Sequence, residues 1–71
     1  MNFKKIGSNI RKQRIQAGLS QKELSKRSRI SQGSLSRIEN GGDMTVLQLY
    51  RLHASLKPGK SLADWLGDLS R

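Results

Sequence analysis

Large apolar residues recur three or four positions apart in several short segments, each preceded by a residue suited to cap a helix. This spacing places the apolar side chains on one face of a helix, whereas a strand would alternate them every second residue. The first segment predicts a helix from Met1 to Ala17, with Ile6, Ile10 and Ala17 on one side. Gly18 follows at the position where a helix commonly ends in the left-handed conformation.

Two short helices are predicted between residues 20 and 40. Ser20 and Glu23 have the spacing of a capping box, in which each side chain binds the backbone N–H of the other residue. This box precedes a helix over residues 21–28, and Ser31 caps a second helix over residues 32 to about 40. Gly41 and Gly42 are too flexible to continue that helix. Helices this short are marginal alone, so they need a core supplied by the rest of the chain.

The last third of the chain predicts two further helices. Thr45 caps the fourth, whose expected core-facing stripe consists of Val46, Leu49, Leu52 and Leu56. A break at residues 57–60 contains proline and glycine. Ser61 caps a short fifth helix carrying Leu62, Trp65 and Leu66. No strand pattern, repeat or low-complexity tract occurs, so the sequence predicts an all-α fold.

Length and composition restrict the chemistry available to the chain. Its 71 residues are expected to form one domain, spanning 1–71, with a small core. There is no cysteine and a single histidine, His53, so we expect no disulfide, no metal site, no cofactor and no enzymatic activity. The apolar runs are too short to span a membrane and no secretory signal is visible, so a cytoplasmic protein is expected.

The net charge of +9 is concentrated in the first part of the chain. Residues 1–40 hold ten Lys or Arg against two acids, whereas residues 41–71 hold four against three. This asymmetry favours a polyanionic partner, most often nucleic acid. One alternative is a highly charged surface that is merely solvated. Another is a membrane-surface peptide, which the three aromatic residues and the spread of basic residues around the helices disfavour.

The succession of these residues resembles a known family. The segments 18–21, 31–32 and 37–41, which read GLSQ, SQ and RIENG, resemble the helix-turn-helix domain of the lambdoid phage repressors and Cro proteins, regulators of the XRE type. The resemblance covers about residues 3–66 and is most specific over 19–41. It implies a compact five-helix domain, a helix-turn-helix at about 20–40, and a recognition helix that starts at Gln32.

The outward positions of the third helix are the candidates for contacts with DNA bases. A helix fits the DNA major groove, where Gln can pair with adenine and Arg with guanine through two hydrogen bonds. The four candidate positions are Gln32, Gly33, Ser36 and Arg37. Gly33 has no side chain, so it either lets the helix approach the DNA closely or leaves a gap in the readout.

A second set of residues is expected to hold the DNA backbone. The resemblance implies phosphate contacts by Gln21, at the start of the second helix, and by Asn40, at the end of the third. The other candidates are Lys22, Lys26, Arg27, Arg29 and Ser34. For each of the basic residues, a solvated side chain with no DNA contact is the alternative.

Arg14 and Glu39 are expected to form an ion pair between the first and third helices. Arg14 falls on the apolar side of its helix, where it either covers the surface with its stem or finds an acid inside. The resemblance implies that Glu39 is this acid. The sequence departs from the family at Arg29, where the turn usually contains glycine, at Ser28, where an apolar residue is usual, and at His53, where a small one is usual.

These features predict a sequence-specific DNA-binding transcriptional regulator, expected to be a repressor that binds a palindromic operator as a homodimer. A chain of 71 residues leaves no room for a separate dimerisation domain, so the contact is expected on the fourth and fifth helices. Its candidate residues are Leu56, Pro58, Leu62 and Trp65, with burial of Trp65 inside the monomer as the alternative.

Two other functions fit the sequence less well. One is an antitoxin or accessory DNA-binding subunit, whose main role is to bind a protein partner. The other is a general binder of polyanions or RNA. RNA is usually bound through stacked aromatic side chains, and the three aromatic residues of this chain are scattered.

Overall fold

Local capping sets the bounds of five helices in the computed structural model, which describes residues 2–71. The helices are α1 Phe3–Gln16, α2 Gln21–Ser28, α3 Gln32–Glu39, α4 Val46–Leu56 and α5 Leu62–Leu69. Each is preceded by a polar residue whose side chain accepts a backbone N–H of the first turn, namely Asn2, Ser20, Ser31, Thr45 and Ser61. The predicted all-α, five-helix fold is confirmed. Met1, the first residue of the predicted first helix, lies outside the described residues.

Glycine ends α1 and α3 with the same hydrogen-bond arrangement. After α3, Gly41 has a φ of 98° and donates its N–H to the carbonyl oxygen of Ile38 at 3.0 Å, while Gly42 donates to that of Arg37 at 2.8 Å. After α1, Gly18 has a φ of 74°, and residues 18 and 19 make the equivalent pair of bonds. These Schellman motifs satisfy carbonyl groups that a helix end leaves unpaired, and they turn the chain sharply.

Apolar side chains from all five helices and from the adjoining turns meet in one core. Its buried members are Ile6, Ile10, Leu19, Leu24, Ile30, Leu35, Ile38, Leu49, Leu52, Trp65 and Leu69. Trp65 is 1% exposed, and its indole N–H donates to Gln13 Oε1 at 2.8 Å, so α5 is fastened to α1. Among residues 2–71, no helix has the length and apolar character needed to cross a membrane.

Two residues expected on the buried side of their helices lie at the surface instead. Val46 is 78% exposed, whereas Leu49 and Leu52 are buried. In a helix of 3.6 residues per turn, Val46 lies about 60° from Leu49 and about 120° from Leu52, which carries it past the edge of the core. Ala17 is exposed because it caps α1 and lies beyond its last helical residue.

Gly7 lets α1 and α3 approach until their backbones touch. A Cβ atom built on Gly7 would lie 2.0 Å from the carbonyl oxygen of Ile38, far inside contact distance. Any side chain at this position would therefore push the two helices apart. The requirement depends on the crossing of α1 and α3, and no pattern along the sequence marks it.

The turn between α2 and α3 contains two features that reduce stability. Arg29 adopts the left-handed conformation with a φ of 58°, which costs a residue other than glycine about 1 kcal/mol. Ser28 is 2% exposed, and its hydroxyl has no hydrogen-bond partner among the described residues. Both positions depart from the pattern of the family that the sequence resembles. The turn is supported by Ser25, whose hydroxyl donates to the carbonyl oxygen of Ile30.

We expect Ser28→Ala to stabilise the domain. Leaving a hydroxyl buried without a partner costs about 1–3 kcal/mol, and alanine removes that group with little loss of volume. A gain of about 1 kcal/mol would raise the melting temperature of a domain this size by about 4–8 °C. Thermal unfolding followed by circular dichroism measures the shift, with the exposed Ser70→Ala as a control expected to change little. An unchanged or lower melting temperature for Ser28→Ala would show that the hydroxyl is satisfied.

Candidate nucleic-acid interface

The four base-contact candidates share the outer side of α3. Leu35 and Ile38 fix the orientation of this helix because both are buried in the core. The opposite side carries Gln32, Gly33 and Arg37, all exposed, and the half-buried Ser36. The side chains of Gln32 and Arg37 make no hydrogen bond within the described residues, so their polar groups point to solvent unpaired.

Two glycines influence the shape of this surface in different ways. A Cβ on Gly33 would have nothing within 4 Å, so packing inside the chain does not require glycine there. A Cβ on Gly42 would lie 2.8 Å from Cγ of Arg37. Gly42 therefore leaves room for the stem of Arg37 at the end of α3, a role that the sequence did not reveal.

The backbone-contact candidates surround α3, and several are tied into the fold. Asn40 is exposed and donates its side-chain amide to the carbonyl oxygen of Ser36 at 2.9 Å. Ser34 is half-buried and accepts the hydroxyl of the capping residue Ser31 at 2.8 Å. The basic candidates are exposed and form no salt bridge within residues 2–71; they are Lys22, Lys26, Arg27 and Arg29.

A buried polar network joins α1, α2 and α3 beneath this surface. Arg14 Nε donates to Glu39 Oε2 at 2.8 Å, and Arg14 Nη2 donates to Glu39 Oε1 at 3.0 Å. The third guanidinium nitrogen, Nη1, donates to the carbonyl oxygen of Leu19 at 2.8 Å. Gln21 completes the network by donating its amide to Glu39 Oε1 at 3.1 Å. Glu39 is therefore bound from α1 and α2 together.

The start of α2 is held by the predicted capping box. Glu23 Oε1 accepts the backbone N–H of Ser20 at 3.1 Å, and Ser20 Oγ accepts that of Glu23 at 3.0 Å. The bond from the Ser20 backbone lowers the pKa of the Glu23 carboxyl below its ordinary value. The carboxylate form is thus favoured in the folded state, and its contribution to stability is present at neutral pH and lost as the pH falls through the lowered pKa.

A second carboxyl group with a lowered pKa belongs to Asp68, in the last turn of α5 and away from this surface. Lys60 forms a salt bridge with Asp68, and this hydrogen bond lowers the pKa of the Asp68 carboxyl. His53 is also in this region, with Nε2 2.7 Å from the carbonyl oxygen of Lys60 and its ring 5.5 Å from that of Trp65. These contacts give His53 a structural role. Within residues 2–71, no three acidic or histidine side chains cluster closely enough to hold a metal ion.

The predicted dimer residues present little apolar surface. Trp65 is buried in the monomer, the alternative stated for it, so its side chain is not available to a second copy. Leu56, Pro58 and Leu62 are half-buried. The large exposed apolar side chains are elsewhere, on Ile15 of α1 and on Val46, Leu47 and Tyr50 of α4. Sequence reasoning missed this α4 patch, although positions 46, 47 and 50 share a helix face.

Comparisons with known proteins agree with this geometry. A family model described as helix-turn-helix matches residues 10–56, from within α1 to the end of α4. The crystal structure of the clp gene regulator ClgR from C. glutamicum matches with a TM-score of 0.78 and 31% sequence identity. The match covers 94% of this chain and 86% of that chain. No curated protein sequence matches.

Fold and site together define a domain that presents a capped helix pair, α2 and α3, with a polar outer side. With the family match over residues 10–56, the chain belongs to the helix-turn-helix family of DNA-binding transcriptional regulators, of the XRE type.

We expect Arg14→Met and Glu39→Gln each to destabilise the domain strongly. Removing one partner leaves the other charge buried and unpaired, at a cost of about 3–5 kcal/mol. Thermal melts measure the loss, which corresponds to a fall of more than about 12 °C at this size. Arg11→Met is the matched control because it removes an exposed arginine from the same helix. If both variants melt within a degree or two of the unaltered chain, the pair has no structural role.

Proposed function

We propose that this chain is a sequence-specific repressor that binds a palindromic operator as a homodimer. The observation that carries the proposal is the outer side of α3, where Gln32 and Arg37 are exposed and unpaired. The opposite side of the helix is held by the core and by the ion pair of Glu39. Such a helix can enter the major groove without rearrangement of its supports. A repressor of this kind acts by occupying the operator, so it needs no catalytic group.

Base readout is assigned to three side chains of α3. Arg37 is long enough to bind O6 and N7 of guanine, and Gln32 can bind N6 and N7 of adenine. Ser36, one turn after Gln32, supplies a hydroxyl that either donates or accepts. The absence of a side chain at Gly33 lets the first turn of α3 approach the base edges closely.

Contacts with the DNA backbone hold this helix in register. The first turn of α2 presents backbone N–H groups and the side chain of Gln21, an arrangement that favours a phosphate group. Asn40 lies at the other end of the helix-turn-helix and binds a second phosphate. Because Gln21 also donates to Glu39, a phosphate bound at α2 is connected to the buried network.

A dimer is proposed because the base-contacting surface of one α3 is small. A single recognition helix covers only a few base pairs, so useful specificity requires two half-sites about one helical turn apart. The proposed contact remains on α4 and α5, at Leu56, Pro58 and Leu62, above the buried Trp65.

A second candidate function is an antitoxin or accessory subunit that binds a protein partner. An exposed apolar patch on α4 favours this function. Its residues are Val46, which is 78% exposed, Leu47, which is 54% exposed, and Tyr50, which is 57% exposed. Grouped apolar side chains at a surface are typical of protein contacts. Copurification of a stoichiometric protein partner would support this function if the Leu47→Lys variant no longer binds that partner. The same variant should still bind DNA, because Leu47 lies on α4 and the proposed readout is on α3.

We expect Arg37→Ala to weaken binding to the preferred operator much more than binding to scrambled DNA. A bidentate contact with guanine discriminates by about 1–3 kcal/mol. Lys26→Ala is the matched comparison, because Lys26 lies on α2, outside the recognition helix. It should weaken both duplexes alike and reduce the salt slope by about one. The measurement is a salt titration of each variant on a selected operator and on a scrambled duplex.

Equal proportional losses for Arg37→Ala on the two duplexes would make Arg37 a backbone contact. Specificity would then rest on Gln32 and Ser36. If the unaltered chain binds both duplexes equally, the protein is a general polyanion binder and the proposed function is wrong.

We expect footprints of two half-sites that are occupied together. On a palindromic operator with centres about 10 base pairs apart, protection of both halves should appear at one protein concentration. Insertion of about five base pairs between the halves rotates them to opposite faces of the duplex, and the joint occupancy should disappear. Independent filling of each half-site on the original operator would rule out the symmetric dimer.

A further inference from the structure

The backbone contact between α1 and α3 brings α1 to the edge of the DNA-binding surface. Gly7 places the α1 backbone against Ile38 in the last turn of α3. One residue past Asn40, a Cβ built on Gly41 would lie 3.0 Å from Cα of Lys4. Lys4 is thus adjacent to Gly41, just past the end of the recognition helix, although the two residues lie 37 positions apart in sequence.

Two cations of α1 lie on the same side of the helix as Gly7, which contacts α3, and we call this side the α1 flank. Lys4 precedes Gly7 by three residues and Arg11 follows it by four, so all three positions share one side of the helix. Lys4 and Arg11 are exposed, and neither forms a salt bridge within residues 2–71. With a rise of 1.5 Å per residue, their Cα atoms are about 10 Å apart along α1.

The flank runs between the two ends of the proposed backbone contact. Lys4 is beside Gly41, the residue after Asn40. Arg11 lies one turn before Arg14, which shares the carboxylate of Glu39 with Gln21. Both Asn40 and Gln21 are assigned above to phosphate groups. A DNA strand that touches both would run beside α1, where Lys4 and Arg11 are exposed.

We propose that Lys4 and Arg11 extend the DNA-backbone contact from the helix-turn-helix onto α1, each binding a phosphate of the operator. The inference rests on the proposed DNA-binding function and adds to it a contact site outside α2 and α3. Its ligand is the phosphodiester backbone of duplex DNA, so the contact increases affinity without selecting a sequence.

Folding of the chain does not account for a cation at position 4. Lys4 and Lys5 both lie in the first turn of α1, where the helix dipole disfavours positive charge, and that turn contains no acidic residue. Of the two, Lys4 is the one placed against Gly41 at the end of α3. A locally unfavourable residue at the edge of a binding surface is typical of a functional position. Phosphate contact supplies the negative charge that the chain itself does not provide there.

The chain contains a matched control for this proposal. Lys5 and Lys12 each follow one of the proposed contacts by one residue, are also exposed, and lie about 100° further around α1. The variants Lys4→Gln/Arg11→Gln and Lys5→Gln/Lys12→Gln therefore remove the same charge from the same helix. Only the first pair changes the flank beside α3.

We expect the first variant to reduce the slope of log affinity against log salt by about 1.8 on operator and scrambled duplex alike, because two phosphate contacts are lost. The second variant should leave the slope close to that of the unaltered chain. Thermal melts verify that each variant folds. If either double variant melts at a lower temperature, the single substitutions replace it. Each of Lys4→Gln and Arg11→Gln should then reduce the salt slope by about 0.9.

Equal slope changes for the two pairs would overturn the inference, since they would report only the general positive charge. The proposed function would survive that result, because operator preference depends on α3. Absence of any DNA binding by the unaltered chain would overturn the inference and the proposed function together.

Discussion

The carboxylate of Glu39 is buried, and the positions of three helices depend on how its charge is satisfied. Its side chain is 1% exposed, and an unpaired carboxylate at that depth would cost several kcal/mol. The planar guanidinium of Arg14 supplies two parallel hydrogen bonds, which fix the relative rotation of α1 and α3. Gln21 then ties α2 to the same oxygen. The outward direction of the recognition helix is therefore set from inside the domain, before any DNA is bound.

Backbone contact at Gly7 adds a constraint of a different kind. An ion pair tolerates small shifts of its partners. At Gly7, by contrast, the backbones of α1 and α3 are in direct contact, and no side chain lies between them that could adjust to a shift. At the end of α3, the Schellman motif at Gly41 and Gly42 turns the chain away and leaves space for Arg37. The recognition helix is thus held at its last turn, and Gln32 and Gly33 of its first turn are exposed on the side that can enter a groove.

What the sequence predicts well is local. Capping residues and helical spacing gave all five helices, because a cap acts within one turn of its own position. The order of Ser20, Glu23, Ser31 and Gly41 marked the helix-turn-helix for the same reason. Features that depend on how helices meet were missed or misplaced. Gly7 carries no local signal, Val46 fits the stripe yet lies past the edge of the core, and only the folded chain decides between the two placements of Trp65.

The proposed DNA-binding surface contains residues that reduce the stability of the free domain. Cations on α1, α2 and α3 repel one another in a chain with a net charge of +9, and Arg29 also occupies a strained turn. Bound DNA removes that repulsion and adds its binding free energy to the folded state alone. Replacing these cations with neutral residues would therefore relieve repulsion in the free domain while weakening the complex. Because the core is small and one hydroxyl within it is unpaired, we expect the free energy of unfolding of the free domain to be small. In the proposed binding mode, bound DNA contributes to keeping the domain folded, and DNA affinity and folding stability are coupled through the same exposed charges.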